Sequence, residues 1–261
     1  MDELVTERSG SILHLELKRP QKRNALTSRM YVALADALND AAGDERTRVV
    51  LLHGAGESFC AGNDLQDFLN NPPGAGESPQ ARLMNALLDF DKPLVAAVHG
   101  AAVGSGTTML LHCDFVYAGE SARFQMPFIN LAVVPEFGSS CVVAATIGHV
   151  RAAELILLGS PFNAARAADL GFVTQVVPDQ ILLEVASETA RKLAAKPAGA
   201  LQASKRLMKL PLREQIRAAM KAENEEFSVQ VRSDDAREAI RAVVEKRPPR
   251  FAGNTKATTD A

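Results

Sequence analysis

Two short segments carry residue types that could stabilise a negative charge. Ser58-Phe59-Cys60-Ala61-Gly62-Asn63-Asp64-Leu65 is one; His99-Gly100-Ala101-Ala102-Val103-Gly104-Ser105-Gly106-Thr107-Thr108 is the other. Each places small residues and glycine just beyond a short apolar run, where the chain can turn sharply and leave backbone N–H groups unpaired. At a helix start such groups are orphan donors that face an anion. One N–H from each turn could serve a single developing oxyanion. On residue types alone, both segments could equally be no more than tight turns.

Other chemistries find no footing. Gly54-Ala55-Gly56 has Phe59 where a dinucleotide fingerprint needs its third glycine. Gly104-Ser105-Gly106 does not fit the nucleophile elbow. The five histidines show no metal-ligand spacing, and His53 and His99, each at a strand end, read as packed residues. Lys205, Arg206, Lys209, Arg213, Arg217 and Lys221 are offset by Glu214, Glu223, Glu225 and Glu226, which predicts a solvated helix face. The 29 basic and 31 acidic residues give a net charge of −2, which argues against nucleic-acid or membrane-surface binding. Three cysteines without C-x-x-C spacing fit a reducing compartment. With no leader-like segment and no long apolar run, a cytoplasmic protein is expected.

The elements that must hold the two turns follow from periodicity. Val49-Val50-Leu51-Leu52 and Leu94 to Val98 predict strands buried on both faces. Both runs end in His-Gly, a weak internal similarity that suggests repeated strand–turn–helix units. Ile12 to Leu17 alternates as a half-exposed strand. Thr27 or Ser28 would cap a helix running to about Ala42, with Met30, Leu34 and Leu38 on one face. Further strands are expected at Asp114 to Tyr117, Arg123 to Met126 and Phe172 to Val177. Helices are expected over 106–112, 139–147, 151–158 and 164–170. Asn70 to Gln80 reads as a mobile loop. From about Gln180 the pattern turns helical, with amphipathic stretches over 214–231 and 234–246. Residues 1–195 are thus expected to form an α/β core and 196–261 a helical appendage, with a disordered tail after about 251.

Several motifs together resemble the enoyl-CoA hydratase/isomerase (crotonase) superfamily. They are Leu17-Lys18-Arg19-Pro20 through Asn24-Ala25-Leu26, the F-x-A-G-x-D run at Phe59 to Asp64, and H-G-x-A-x-G-x-G from His99 followed by Cys113-Asp114. Ala167 to Gly171 with Val173, and Glu245-Lys246-Arg247-Pro248, extend the likeness to about residues 5–251. The resemblance implies an α/β crotonase-like spiral of strand–strand–helix units with a C-terminal helical trimerisation region, in a homotrimer or hexamer. It implies an acyl-CoA thioester substrate, with coenzyme A part of the substrate and no metal or further cofactor. The oxyanion-hole N–H groups map to Ala61 and Ser105. Substrate contacts map to Arg23, Ala25, Asp64 and Leu65, and to Phe227 and Lys246 from a neighbouring subunit.

Hydratases of the superfamily hold water between two glutamates, and those positions are Thr108 and Phe128 here. Neither side chain can act as a base, so water addition is not expected. A carboxylate appears instead in Val134-Pro135-Glu136-Phe137-Gly138-Ser139-Ser140, similar to the Δ3,Δ2-enoyl-CoA isomerase type. Outside that context Glu136 reads as an ordinary acid at a helix start. Within it, Glu136 would be the catalytic base, with a moderately raised pKa and a dry setting supplied by Phe128, Val134 and Phe137. The alternatives are a hydratase or another crotonase-type acyl-CoA reaction, and a non-catalytic CoA-binding protein.

Overall fold

The computed structural model describes residues 3–70 and 78–251. In chain order the elements are β1 (Leu4–Ser9), β2 (Ile12–Leu17), α1 (Ser28–Gly43), β3 (Val49–Gly54), α2 (Leu65–Asn70), α3 (Pro79–Asp89), β4 (Leu94–Val98), β5 (Ala101–Val103) and α4 (Ser105–Thr108). There follow β6 (Phe115–Gly119), β7 (Arg123–Gln125), α5 (Ser139–Ile147), α6 (His149–Leu158), β8 (Phe162–Asn163), α7 (Ala164–Asp169), β9 (Gln175–Val177), α8 (Leu182–Ala194), α9 (Ala198–Gln230) and α10 (Asp234–Val244). Residues 71–77, most of the expected loop, and the tail beyond 251 lie outside the described residues.

The main sheet has six strands in the order β1-β2-β3-β4-β6-β9, and a smaller one runs β5-β7-β8. Only the β1–β2 pair is antiparallel in the main sheet. The unbroken apolar run of β3 is explained by burial on both faces. Val50 and Leu52 join Leu34 and Leu38 of α1 and Leu83 and Leu87 of α3 in one core. Val49 and Leu51 pack with Leu182, Ala186 and Ala190 of α8 on the opposite face. Helix α1 starts as expected: Thr27 Oγ1 accepts the Met30 N–H at 3.3 Å.

The weak repeat has a structural meaning. At His53-Gly54 and again at His99-Gly100 the chain leaves the main sheet and crosses to the smaller one. After β3 it reaches Cys60, which bridges Ala102 in parallel, and after β4 it enters β5. The next unit repeats the move from β6 to β7. These crossings are the strand–strand–helix spiral, and they bring the two small-residue segments side by side.

The expectation of a solvated basic face on α9 holds at Arg206 and Lys221, which are exposed, and is corrected at Lys205 and Lys209. Lys205 is buried, 2.7 Å from Asp114 and over the Phe90 ring. Lys209 Nζ donates to the carbonyls of Leu87, Leu88 and Phe90 at the end of α3. Cations suit the last carbonyls of a helix, so this part of the face docks α9 onto α3 instead of meeting water. The apolar stripe also turns inward, with Ile216, Met220, Ala236 and Ile240 buried.

Candidate active site

The site begins with a loop stitched beneath the first turn. Arg23 and Asn24 both have positive φ, 49° and 55°. Buried Asn24 justifies that backbone: its Nδ2 donates to Ala55 O at 2.8 Å and Ser58 O at 2.7 Å, while Oδ1 accepts the Arg19 N–H. Arg19 then pairs with Asp64 at 2.6 Å.

The second contact is between the two turns. Gly62 has φ +85°, and a Cβ there would stand 2.7 Å from the Val103 carbonyl oxygen. A Cβ on Gly106 would stand 2.4 Å from Cys60 O. Both glycines are thus required by close backbone approach.

Which N–H groups remain open follows from the pairing. Ala61 N–H donates to Arg23 O at 2.9 Å, so the expectation that Ala61 offers an oxyanion donor is corrected. Leu26 donates to Gly62 O and accepts from Asp64 N–H. In a parallel bridge of this kind the residue between, Asn63, turns its own N–H away from the partner strand. Ser105 opens α4, and Gly104 O takes the N–H groups of Thr107 and Thr108. Among the described residues neither Asn63 nor Ser105 N–H has a backbone acceptor.

Tyr31 of α1, fully buried, ties these two residues together. Its hydroxyl lies 2.6 Å from Asn63 Oδ1 and 2.7 Å from Ser105 Oγ. With one hydrogen, it donates to the amide oxygen and accepts from the serine hydroxyl. Tyr31→Phe is expected to lower kcat about tenfold and stability by roughly 1–3 kcal/mol, because the Asn63 oxygen loses its partner. Steady-state rates and thermal melts check this, and an unchanged kcat would contradict the role.

Glu136 stands across from this pair, buried, at the start of a strained turn. Phe137 and Gly138 both have positive φ, 62° and 68°, and Phe137 is a bulky residue for which that conformation is unfavourable. Two buried groups hold the turn. His112 Nε2 donates to Phe137 O at 2.7 Å; burial pushes this imidazole down to about 4, so it is neutral. Glu223 of α9 accepts from Gly138 N–H at 2.7 Å and Ser140 N–H at 2.8 Å.

The Glu136 carboxyl is pushed up to about 8, first by burial and then by the nearby Glu223 charge, with Ser105 and Asn63 side chains acting against the rise. Its Oε1 has no hydrogen-bond partner among the described residues. The rise exceeds the moderate one expected, because burial outweighs the Ser105 and Asn63 side chains and the Glu223 charge adds to it.

Two cavities meet at Glu136. The larger, about 650 Å³, is lined by Ala25, Asp64, Leu65, Asn63, Gly104 and Phe128 among others. The smaller, about 550 Å³, lies between α3 and α9, lined by Met84, Asn85, Met220 and Asn224 among others. Glu136 and Phe227 line both. Thus Ala25, Asp64, Leu65, Phe128 and Phe227 of this one chain are brought together. Arg23 is not: it is exposed and lines neither of these two cavities, and Lys22 lines the larger one where Arg23 was expected; Lys246, expected from a neighbouring subunit, is exposed in this chain. Thr108 is buried with its hydroxyl turned to Gly104 O at 3.3 Å. Asn63, Tyr31, Glu223 and His112 escaped sequence reading; the glycine at 62 among small residues is the one local sign of the turn that exposes Asn63.

The open N–H groups of Asn63 and Ser105 and the buried Glu136 carboxyl thus lie at one site, an arrangement that can hold a developing oxyanion beside a proton acceptor. The enoyl-CoA hydratase/isomerase family model matches residues 7–254, and the chain belongs to that family. It is 34% identical over 254 residues to the 2,3-dehydroadipyl-CoA hydratase of Escherichia coli (strain K12), covering 97% of this chain and all of that protein. It is 33% identical to enoyl-CoA delta isomerase 2 of Rattus norvegicus, covering 94% of this chain and 64% of that one. The crystal structure of an enoyl-CoA hydratase/isomerase from Pseudoalteromonas atlantica T6c superposes with a TM-score of 0.92 at 38% identity, covering 96% of this chain and 100% of that one.

Proposed function

We propose that this acyl-CoA enzyme is an isomerase that moves a double bond from C3–C4 to C2–C3 of an enoyl-CoA. The observation that carries the reading is Glu136, a buried carboxyl at the junction of both cavities; the family resemblance, which places Thr108 and Phe128 where a hydratase has its two glutamates, supports it. The C2 proton lies between thioester carbonyl and alkene, so its loss to the Glu136 carboxylate leaves a delocalised dienolate. The electron pair from the C2–H bond forms C2–C3, the C3–C4 pair accepts the proton at C4, and the thioester oxygen carries the transient charge. Asn63 and Ser105 N–H groups face that oxygen; one such donor is worth about 3–4 kcal/mol elsewhere. Proton transfer needs no redox or metal partner.

The larger cavity suits the CoA arm, passing Ala25, Asp64 and Leu65, and the smaller the acyl chain. Supplying 3-enoyl-CoA and 2-enoyl-CoA separately tests the reading. Migration faster than water addition is expected; faster hydration would reject it.

A trimer, or a pair of trimers, is also expected. The support is a set of exposed apolar residues on α6 (Val150, Leu157, Leu158) and α9 (Leu207, Met208, Leu210), with Val229, Val243 and Val244 of the 214–246 stretch, whose Ile216, Met220 and Ile240 pack within the chain. Sedimentation at micromolar concentration checks this, and a monomeric mass would contradict it.

A further inference from the structure

We propose that Glu223 of α9 is a positioning residue for the Glu136 turn: it takes the helix-α5 donors that would otherwise steady a Glu136 anion, and so leaves Glu136 a poorly solvated, strong base. The proposal rests on the reading of Glu136 as the base. Helix α5 begins behind Gly138, which supplies no side-chain cap. The Gly138 and Ser140 N–H groups and the Ser140 hydroxyl donate to the two oxygens of Glu223, which reaches them from the C-terminal helical region, while Ser139 N–H goes to the Glu136 carbonyl oxygen. A carboxylate there satisfies orphan donors and the positive end of the helix together. The Glu136 carboxyl, two residues ahead of Gly138, receives none of these bonds, and its Oε1 is unpartnered among the described residues. Two buried carboxyls this near cannot both ionise freely. Burial raises the Glu223 carboxyl too, but its three donors oppose that rise; Glu136, without them, ionises at higher pH, and that ionised form is the one that accepts the C2 proton.

The other groups around Glu136 do not supply the same control. Tyr31 and Cys60, from the side of the two turns, are pushed up by burial and stay neutral. His112 behind the turn is neutral. At the cavity mouth Arg217 is held by Asp89 at 2.8 Å, and Lys221 faces Glu225 at 3.9 Å. Glu223 is therefore the charged group that sets the field at the turn.

Glu223→Gln and Glu223→Ala, in the full chain, test this by infrared titration of the protonated carboxyl band that Glu136→Gln abolishes. The band reports Glu136 whatever reaction the enzyme performs, so failure of the isomerase reading and failure of this proposal are separable. The expected result is a midpoint lowered by about one pH unit in both variants, because a like charge is gone and the α5 donors are released. The limb of kcat/KM should move down in pH by the same amount, with a several-fold lower plateau from the weaker base. A purely structural cap would lower the melting temperature and leave the midpoint where it is; that result in either folded variant would overturn the proposal, as would a midpoint that rises.

Discussion

Glu136→Gln is expected to slow double-bond migration by roughly a thousandfold or more while acyl-CoA binding stays near that of the unaltered protein. The variant keeps the shape of the side chain and removes the group that carries the proton. Cavity walls, the Asn63 and Ser105 N–H groups and the Tyr31 tie are untouched, so ground-state binding has no reason to change. Among the described residues no second carboxyl lines both cavities, and Asp64, the other acid in the larger one, is committed to Arg19 at 2.6 Å. Thr108→Ala and Phe128→Leu should retain most activity, since neither side chain exchanges a proton in the proposed step. The check is turnover of 3-enoyl-CoA beside calorimetric binding of a saturated acyl-CoA. Near-normal turnover in Glu136→Gln would refute the mechanism; a matching loss of binding would mean that Glu136 holds the substrate rather than reacting with it.

How much of this was legible in the residues depends on where the information resides. Val49–Leu52 and Leu94–Val98 are legible because a strand buried on both faces must be apolar throughout. Thr27 announces α1 because its hydroxyl meets an orphan N–H three residues on. Strands β5 and β8 are hidden: Ala101–Val103 and Phe162–Asn163 are too short for any period, and their pairing is set by the crossing between sheets. The legible amphipathic stretch begins at Glu214, 16 residues (214 − 198) into α9, and Pro211, which reads as a breaker, sits inside the helix. Lys205 and Lys209 look solvated until the end of α3 is known to lie beneath them.

The site divides the same way. Ser105 and Glu136 can be found from local motifs. Asn63 cannot be told from Ala61 without the register against Leu26 and Arg23, which decides whose N–H is occupied. Glu223 is hidden among Glu225 and Glu226, and Tyr31 looks like one more residue of a core face. Each acts through a partner distant in the chain, 83 residues away for Glu223 and Ser140 and 74 for Tyr31 and Ser105. Local periodicity carries no signal at such separations.

Activity and stability should depend on pH in opposite directions across one interval. With Glu136 pushed up to about 8, kcat/KM should rise about tenfold per pH unit below that value and level off above it, because only the carboxylate accepts the C2 proton. In the unfolded chain the same group titrates near its ordinary value of 4.5. Below that, both states hold the proton and Glu136 contributes no pH dependence. Between the two values the folded protein binds more protons than the unfolded one, so this group makes stability fall as pH rises; above about 8 the effect is constant. At pH 7 the penalty is about 3 kcal/mol, from a separation of roughly 2.5 pH units at 1.36 kcal/mol each. Glu136→Gln removes the titration, so its stability relative to the unaltered protein should climb between pH 4 and pH 8 at one fixed protein concentration. Denaturant melts across that range measure the difference. A gap that stays constant with pH, or a kcat/KM profile already flat at pH 6, would mean that Glu136 is ionised in the resting enzyme and that its burial is offset by a donor closer than Ser105 or Asn63.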